Sequence, residues 1–177
     1  MSKVKLKDEN TLTLREVEAK DAESIIEYVN EVAGETDNLT FGENQFNITL
    51  EEERKILIES KKSENSFFLL AIINDKIVGM LTFRGGKRPR TKHVGEFGVS
   101  VLKEFWNLGI AKKMIINLIK WAKDNDIKKI NLRVLSDNEK AIKLYEKLGF
   151  LEEGVITKEL FINGKFYDTV AMGYCID

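Results

Sequence analysis

A chain of 177 residues with 43% apolar and 32% charged side chains can bury one core of ordinary size, which excludes a disordered, collagenous or disulfide-stapled protein. Twenty-eight Lys and Arg against 29 Asp and Glu give a formal charge of −1, so nucleic-acid and anionic-membrane partners are not expected and any bound anion must be held locally. One Cys (Cys175) and one His (His93) build neither an internal disulfide nor a thiolate–imidazole zinc site, and no apolar signal or membrane-length run occurs; the expectation is a metal-free cytoplasmic protein with one domain over residues 1–177, residues 1–10 forming a flexible lead.

The alternation of Leu12, Leu14 and Val17 predicts a strand, after which Asp21 and Glu23 open a helix carrying Ile25, Ile26, Val29 and Val32. Little periodicity follows from Glu31 to Asn47. Thr49 and Glu52 then form a Thr-x-x-Glu capping box before Ile56, Leu57 and Ile58, so a second helix starts there and ends near Lys61. The β-rich runs Ser66–Ile73 and Lys76–Phe83 flank Asn74-Asp75 and predict an antiparallel hairpin.

A loop containing Pro89, the only proline, leads to a fourth strand over His93–Val101. Ile110, Met114, Leu118 and Ala122 have helical spacing, and Lys128–Leu135 reads as a fifth strand. The run Asn138–Lys147 places Ala141, Ile142, Leu144 and Tyr145 on one stripe and stops at Gly149, which suits a left-handed cap. The last two strands, Val155–Ile162 and Phe166–Ile176, turn at Asn163-Gly164 with type I′ chemistry. Seven strands and four helices without repeats or linkers predict an α+β domain with a mixed sheet.

The connection between Val101 and the third helix carries the first chemical signal. A strand that passes through a glycine-containing loop into a helix offers unpaired amides and the positive end of the helix dipole, which together hold phosphate. Lys112 and Lys113 stand in the first turn, where cations oppose the dipole unless an anion is near. Neither Gly-x-x-x-x-Gly-Lys-Ser/Thr nor Gly-x-Gly-x-x-Gly is present.

A second stretch makes the signal specific. Val134 and Asn138, followed by Ala141, Leu144-Tyr145 and Gly149-Phe150, resemble the Val-x-x-x-Asn-x-x-Ala-x-x-Leu-Tyr-x-x-x-Gly-Phe motif of the GNAT superfamily of N-acetyltransferases. Trp106-Asn107-Leu108-Gly109-Ile110-Ala111 is similar to that superfamily's Gln/Arg-x-x-Gly-x-Gly/Ala acetyl-CoA loop, five residues after Val101. Trp106 departs from the usual Gln or Arg and resembles the subgroup that includes ribosomal-protein alanine and polyamine acetyltransferases. Asn107 replaces a common Gly, and asparagine tolerates the positive φ such a turn needs.

The resemblance implies a mostly antiparallel seven-stranded sheet flanked by four helices and splayed between strands four and five. It implies acetyl-CoA as co-substrate, with the pantetheine bonding the backbone at Val99 and Val101 and one N–H of that stretch serving as oxyanion donor. The loop Trp106–Lys112 would take the pyrophosphate, Asn138 would anchor the start of the fourth helix near the pantetheine, and Tyr145 would protonate the departing thiolate. Gly98 is expected to form a bulge that opens the splay.

For the base, Glu96 is the leading candidate, because a carboxylate within a buried strand costs free energy unless something uses it; His93 is the second. The first two helices and the last hairpin would shape the acceptor pocket. Residues 31–53 hold seven carboxylates and no Lys or Arg, and among them Asp37 and Glu43 have no helix-terminus role, so they are expected to attract a cationic amine. Phe41, Phe161 and Tyr167 are the alternative lining. Polyamine, aminoglycoside, amino-acid and protein N-terminal acceptors stay open, as do a homodimer and a catalytically silent acyl-CoA-binding protein on the same fold. The basic cluster Arg84, Lys87, Arg88, Arg90 and Lys92 reads as a solubilising loop.

Overall fold

The computed structural model describes residues 2–6, 9–43 and 45–176. Its strands are β1 (Ser2–Lys5), β2 (Thr11–Glu16), β3 (Ser66–Ile73), β4 (Lys76–Gly85), β5 (Val94–Val101), β6 (Lys129–Leu135), β7 (Leu151–Ile162) and β8 (Lys165–Cys175). The helices are α1 (Ala22–Glu35), α2 (Leu50–Lys62), α3 (Ile110–Asp124) and α4 (Glu139–Lys147). One eight-stranded sheet runs in the order β1-β2-β3-β4-β5-β6-β8-β7, antiparallel throughout except for the parallel β5–β6 pair.

The strand count corrects the expected seven. Ser2–Lys5, placed by the sequence in a flexible lead, pairs with β2 from Ser2↔Leu14 to Lys5↔Thr11. Ser-Lys-Val-Lys has a single apolar residue, as suits a charged edge strand, and so gives little signal for one. Residues 1, 7 and 8 of that lead lie outside the described residues. With the extra strand, the splay expected between the fourth and fifth strands falls between β5 and β6.

Two separate cores sandwich the sheet. On one face Ile25, Tyr28, Val29 and Val32 of α1 and Leu57 of α2 pack with Phe68, Leu70 and Ile77. On the other, Ile110, Met114, Ile115, Leu118 and Ala122 of α3 and Tyr145 of α4 pack with Leu81, Phe83, Phe97, Ile130 and Leu132. Helix spacings i, i+3, i+4 generate these buried stripes. Where a helix begins, local chemistry fixes the place. Thr49 Oγ1 accepts the Glu52 N–H while Glu52 Oε2 accepts the Thr49 N–H, completing the capping box.

At the end of α4 the Phe150 N–H donates to Tyr145 C=O and the Gly149 N–H to Glu146 C=O, with Gly149 at φ +92°. This Schellman closure fixes the helix immediately after Tyr145 and turns Phe150 back against that ring. Both tight hairpins take primed turns, as expected for Asn163 and Gly164 with φ of 49° and 82°; Asn74 and Asp75, expected only to turn, have 48° and 62°.

Candidate active site at the β5–β6 fork

β5 and β6 are registered over only Val94↔Lys129, Gly95↔Ile130 and Glu96↔Asn131, after which they separate. On its other side β5 stays paired with β4 from Gly95 to Val101 without a register shift. The bulge expected at Gly98 is therefore absent; the fork arises because β6 diverges. Gly98 does something else. A Cβ there would meet only Thr82 Oγ1, at 4.0 Å, so the glycine leaves an open patch in the middle of the sheet.

Strand alternation decides which groups face the gap. Leu102 N–H donates to Val78 C=O and Gly86 N–H to Val94 C=O, so the even-numbered residues of β5 bond β4. The odd-numbered ones, Phe97, Val99 and Val101, direct their N–H and C=O toward the fork. Two of these groups are taken: the parallel Glu96↔Asn131 pair commits the Phe97 N–H to β6, and the Trp106 indole N–H donates to the Val101 carbonyl at 2.7 Å. The amides that remain form an unpaired strand edge, which an extended amide-containing ligand can join.

The loop beyond continues this surface. Asn107 has φ 64° and Gly109 φ 75°, so the asparagine turns as its sequence position requires. The first bond within α3 runs from Lys113 N–H to Gly109 C=O, and the amides of Ile110, Ala111 and Lys112 precede it at the positive end of a 15-residue helix. Leu108 is half-buried against the core, and Lys112 is exposed beside the turn. These residues can hold a pyrophosphate.

Two faces of the fork carry different chemistry. On the α3/α4 face, Tyr145 packs edge-on to Phe97 and Phe150 at centroid distances of 6.0 Å. It is buried, and its hydroxyl makes no hydrogen bond to the described residues. Burial pushes its pKa up to about 12, so the phenol stays protonated at neutral pH. Asn138 caps α4, its Oδ1 accepting the Ala141 N–H at 3.2 Å.

On the α1/α2 face, Ser100 Oγ and Tyr28 Oη are 2.8 Å apart, tying α1 to β5. Glu96 shares that face, and its surroundings correct the sequence-based premise of burial: its side chain is 47% exposed and faces the Arg133 fork, with Nε to Oε1 3.2 Å and Nη2 to Oε2 3.3 Å. α1 and α2 pack on the sheet to one side of it, so this strand residue keeps access to water. Arg133 Nη1 also bonds Glu159, which accepts in turn from Thr169 Oγ1. Arg84, expected in a solubilising loop, lies on β4 opposite Glu96.

The other predicted residues are scattered. Asp37 and Glu43 are exposed on the α1–α2 connection, and Phe41 lies against Phe46 there with the rings tilted. Four of the seven carboxylates in this region have structural partners or burial: Glu31 bridges Lys76, Glu35 accepts the Lys103 N–H, Glu52 closes the capping box and Glu53 is buried. Phe161 is exposed at the far hairpin, packed on Phe166, while Lys165 lies over the Tyr167 ring. His93 holds the base of the fork through its backbone, its carbonyl accepting Lys128 N–H. Arg133, Asn131 and Glu159 went unnoticed in the sequence. The alternation Ile130-Asn131-Leu132-Arg133-Val134 carried the signal for the first two.

Comparison with known proteins agrees with this geometry. A model of the acetyltransferase (GNAT) family matches residues 33–150. The L-amino acid N-acetyltransferase of Escherichia coli is 38% identical over 106 residues, covering 59% of this chain and 65% of that enzyme. The spermidine N(1)-acetyltransferase of Vibrio cholerae is 36% identical over 78 residues, 44% of this chain and 45% of that one. The chain thus spans less than two thirds of the length of each of these two relatives. A solved GNAT-family acetyltransferase from Streptococcus pneumoniae superposes with a TM-score of 0.91 at 33% identity, covering 94% of this chain and 99% of the other. The family match takes in the fork, the Trp106–Lys112 turn and the helix that ends at Gly149, and the chain belongs to the GNAT family of acetyltransferases.

Proposed function

We propose that the protein transfers an acetyl group from acetyl-CoA to a primary amine by direct attack in a ternary complex. The observation that carries this reading is the unpaired edge of β5, which runs directly into the positive-φ turn and first amides of α3. The pantetheine adds to that edge at Val99 and Val101, and the pyrophosphate lies on Trp106, Asn107, Leu108, Gly109, Ile110, Ala111 and Lys112. Asn138 holds the start of α4 close by.

The amine nitrogen attacks the thioester carbonyl carbon and the C–S bond breaks. A β5 backbone N–H takes the developing oxyanion, Glu96 accepts the proton lost from the amine, directly or through water, and Tyr145 donates its phenolic proton to the thiolate. Asp37 and Glu43 supply negative charge on the approach of the amine; Phe41, Phe161 and Tyr167 are the alternative lining where that charge plays no part. The acceptors named for the two curated relatives, an amino acid and spermidine, are both amines. Among the described residues no helix is long and apolar enough to cross a membrane, and the proposed site of action is the cytoplasm.

A thiol-release assay with acetyl-CoA over a panel of amines tests the reading. Thiol release that depends on an amine supports it. Stabilisation by acetyl-CoA with no release for any amine would assign binding without turnover, and equal stabilisation by ATP would show a generic nucleotide site.

A further inference from the structure

The acceptor side of the fork holds a paired positive and negative group within a framework built to keep them there. Glu96↔Asn131 is the last registered pair before β5 and β6 part, and the next residues on that face are Gly98, with no side chain, and Arg133. Asn131 Oδ1 is buried and has no donor among the described residues. An acceptor oxygen in this state, in register with a carboxylate, is open to a donor from outside the chain, water or ligand. An ammonium group can supply hydrogen bonds to both.

Glu159 reaches Arg133 because β7 is irregular there. Its register with β8 jumps from Ile156↔Thr169 to Leu160↔Tyr167, so three residues of β7 oppose Asp168 alone. Within this bulge Lys158 has φ 54°, uncommon for a residue with a side chain, and its N–H is held by Asp168 Oδ1 at 2.8 Å. Bulges of this sort re-aim side chains beside functional sites. Here the result is a guanidinium whose one edge is fixed by Glu159, while its other edge rests on Glu96 at the long distances of 3.2 and 3.3 Å.

From this geometry we propose that the acceptor is dipolar: an amine that also carries a carboxylate close to it, as an α-amino acid does. The proposal rests on the acetyltransferase reading and narrows its acceptor. The Glu96–Arg133 pair is the complement of such a molecule. When it opens, Glu96 and Asn131 receive the ammonium, and the Nε and Nη2 edge of Arg133 receives the carboxylate in the same forked geometry. A polycation satisfies only the first half. It also meets two arginines, Arg133 and the neighbouring Arg84, where a polyamine site would place carboxylates.

The test uses matched acceptors with wild-type protein and acetyl-CoA: leucine, leucinamide and isoamylamine; phenylalanine, phenylalaninamide and phenethylamine; and spermidine. The amino acid of at least one set is expected to exceed its amide and decarboxylated amine by about 10- to 100-fold in kcat/KM, as when a site loses the group it was built to bond. Arg133→Met is expected to bring that ratio to about 1, and Arg133→Lys to leave an intermediate ratio, because the charge stays and the fork is lost. Retained thermal stabilisation of Arg133→Met by acetyl-CoA shows that the variant is folded with its coenzyme site intact. Preference for spermidine or for the decarboxylated amines, or an amino-acid preference that Arg133→Met leaves unchanged, overturns the dipolar acceptor while the acetyltransferase stands. Acetyl-CoA binding without thiol release for any amine overturns both.

Discussion

The Trp106 indole nitrogen lies 2.7 Å from the Val101 carbonyl oxygen, joining the phosphate-loop turn to the end of the strand edge that precedes it. The bond spans five residues and closes the segment on itself just before Asn107 and Gly109 take their positive φ values. It also occupies one of the backbone acceptors that face the fork, leaving the Val101 N–H and the Val99 groups for the pantetheine in the proposed complex. A residue that departs from the family's usual Gln or Arg thus organises the loop through a side-chain bond to the Val101 backbone.

Trp106→Phe keeps most of the ring and removes the donor. A net hydrogen bond of about 1 kcal/mol corresponds to roughly a 5-fold change, so the acetyl-CoA KM is expected to rise by about 3- to 10-fold with kcat little changed. Steady-state kinetics at saturating acceptor checks this. An unchanged KM would mean that the turn holds its shape without the indole bond.

Tyr145→Phe deletes a proton donor without touching the loop. Burial favours the neutral phenol up to about pH 12, so the hydroxyl remains an acid throughout the working range, and it makes no hydrogen bond to the described residues that would compete for its proton. Turnover is expected to fall by about 10- to 10⁴-fold while acetyl-CoA affinity stays nearly intact. Rapid-mixing kinetics together with isothermal titration separates the two quantities. Unchanged turnover would show that the thiolate leaves unaided.

Residues with strong local rules were legible before the structure. The Thr49–Glu52 box, the Asn-Asp and Asn-Gly turns and the Gly149 cap each depend on chemistry within a few residues, and each stands where the sequence placed it. The fork was legible only through resemblance to a family, because the divergence of two strands leaves no mark in either. Glu96 was misjudged for a related reason. Its exposure depends on which part of the sheet α1 and α2 cover, and its Arg133 partner lies 37 residues away. Glu159 had no signal at all, since the bulge that aims it breaks the period-two register from which facing is read.

Gly109→Asp addresses the turn directly. A Cβ at this position meets nothing within 4 Å, and aspartate tolerates left-handed φ better than most residues, so the free protein is expected to fold with a loss of about 1 kcal/mol. The added carboxylate, however, would stand against the pyrophosphate in the proposed complex. Thermal stabilisation by acetyl-CoA is expected to disappear, as read from melting curves with and without the ligand. A retained shift would move the pyrophosphate elsewhere.

Glu53 tests the account of the α1/α2 face through pH. This α2 carboxylate is buried, and burial raises its pKa, with the charge of Arg84 only partly offsetting the effect. A carboxyl group with a folded pKa above its unfolded one contributes stability in the protonated form, and that contribution is lost as pH rises through the folded value. Glu53→Gln is therefore expected to raise the melting temperature at pH 7.5, by about 2–4 °C if the gain is about 1 kcal/mol in a chain of this size. The two proteins should converge below the ordinary carboxyl range. Melting curves at pH 7.5 and 4 check this, and a variant less stable at both would show that the carboxylate is held by an interaction that outweighs its burial.

Glu96→Gln separates a proton acceptor from a binding group. If Glu96 takes the proton that the attacking amine must lose, the amide cannot, and turnover is expected to fall by about 10²-fold where the acceptor is an ammonium ion. As pH approaches the acceptor amine's own pKa, an increasing fraction arrives already neutral, and the variant should recover part of its rate while wild type changes less. Arg133 keeps its bond to Glu159 in the variant, so the guanidinium is not released to drift. The measurement is kcat/KM for the acceptor from pH 6 to 10 in both proteins. A loss of the same size at every pH would assign Glu96, together with Asn131, to holding the ammonium in place, with solvent taking the proton.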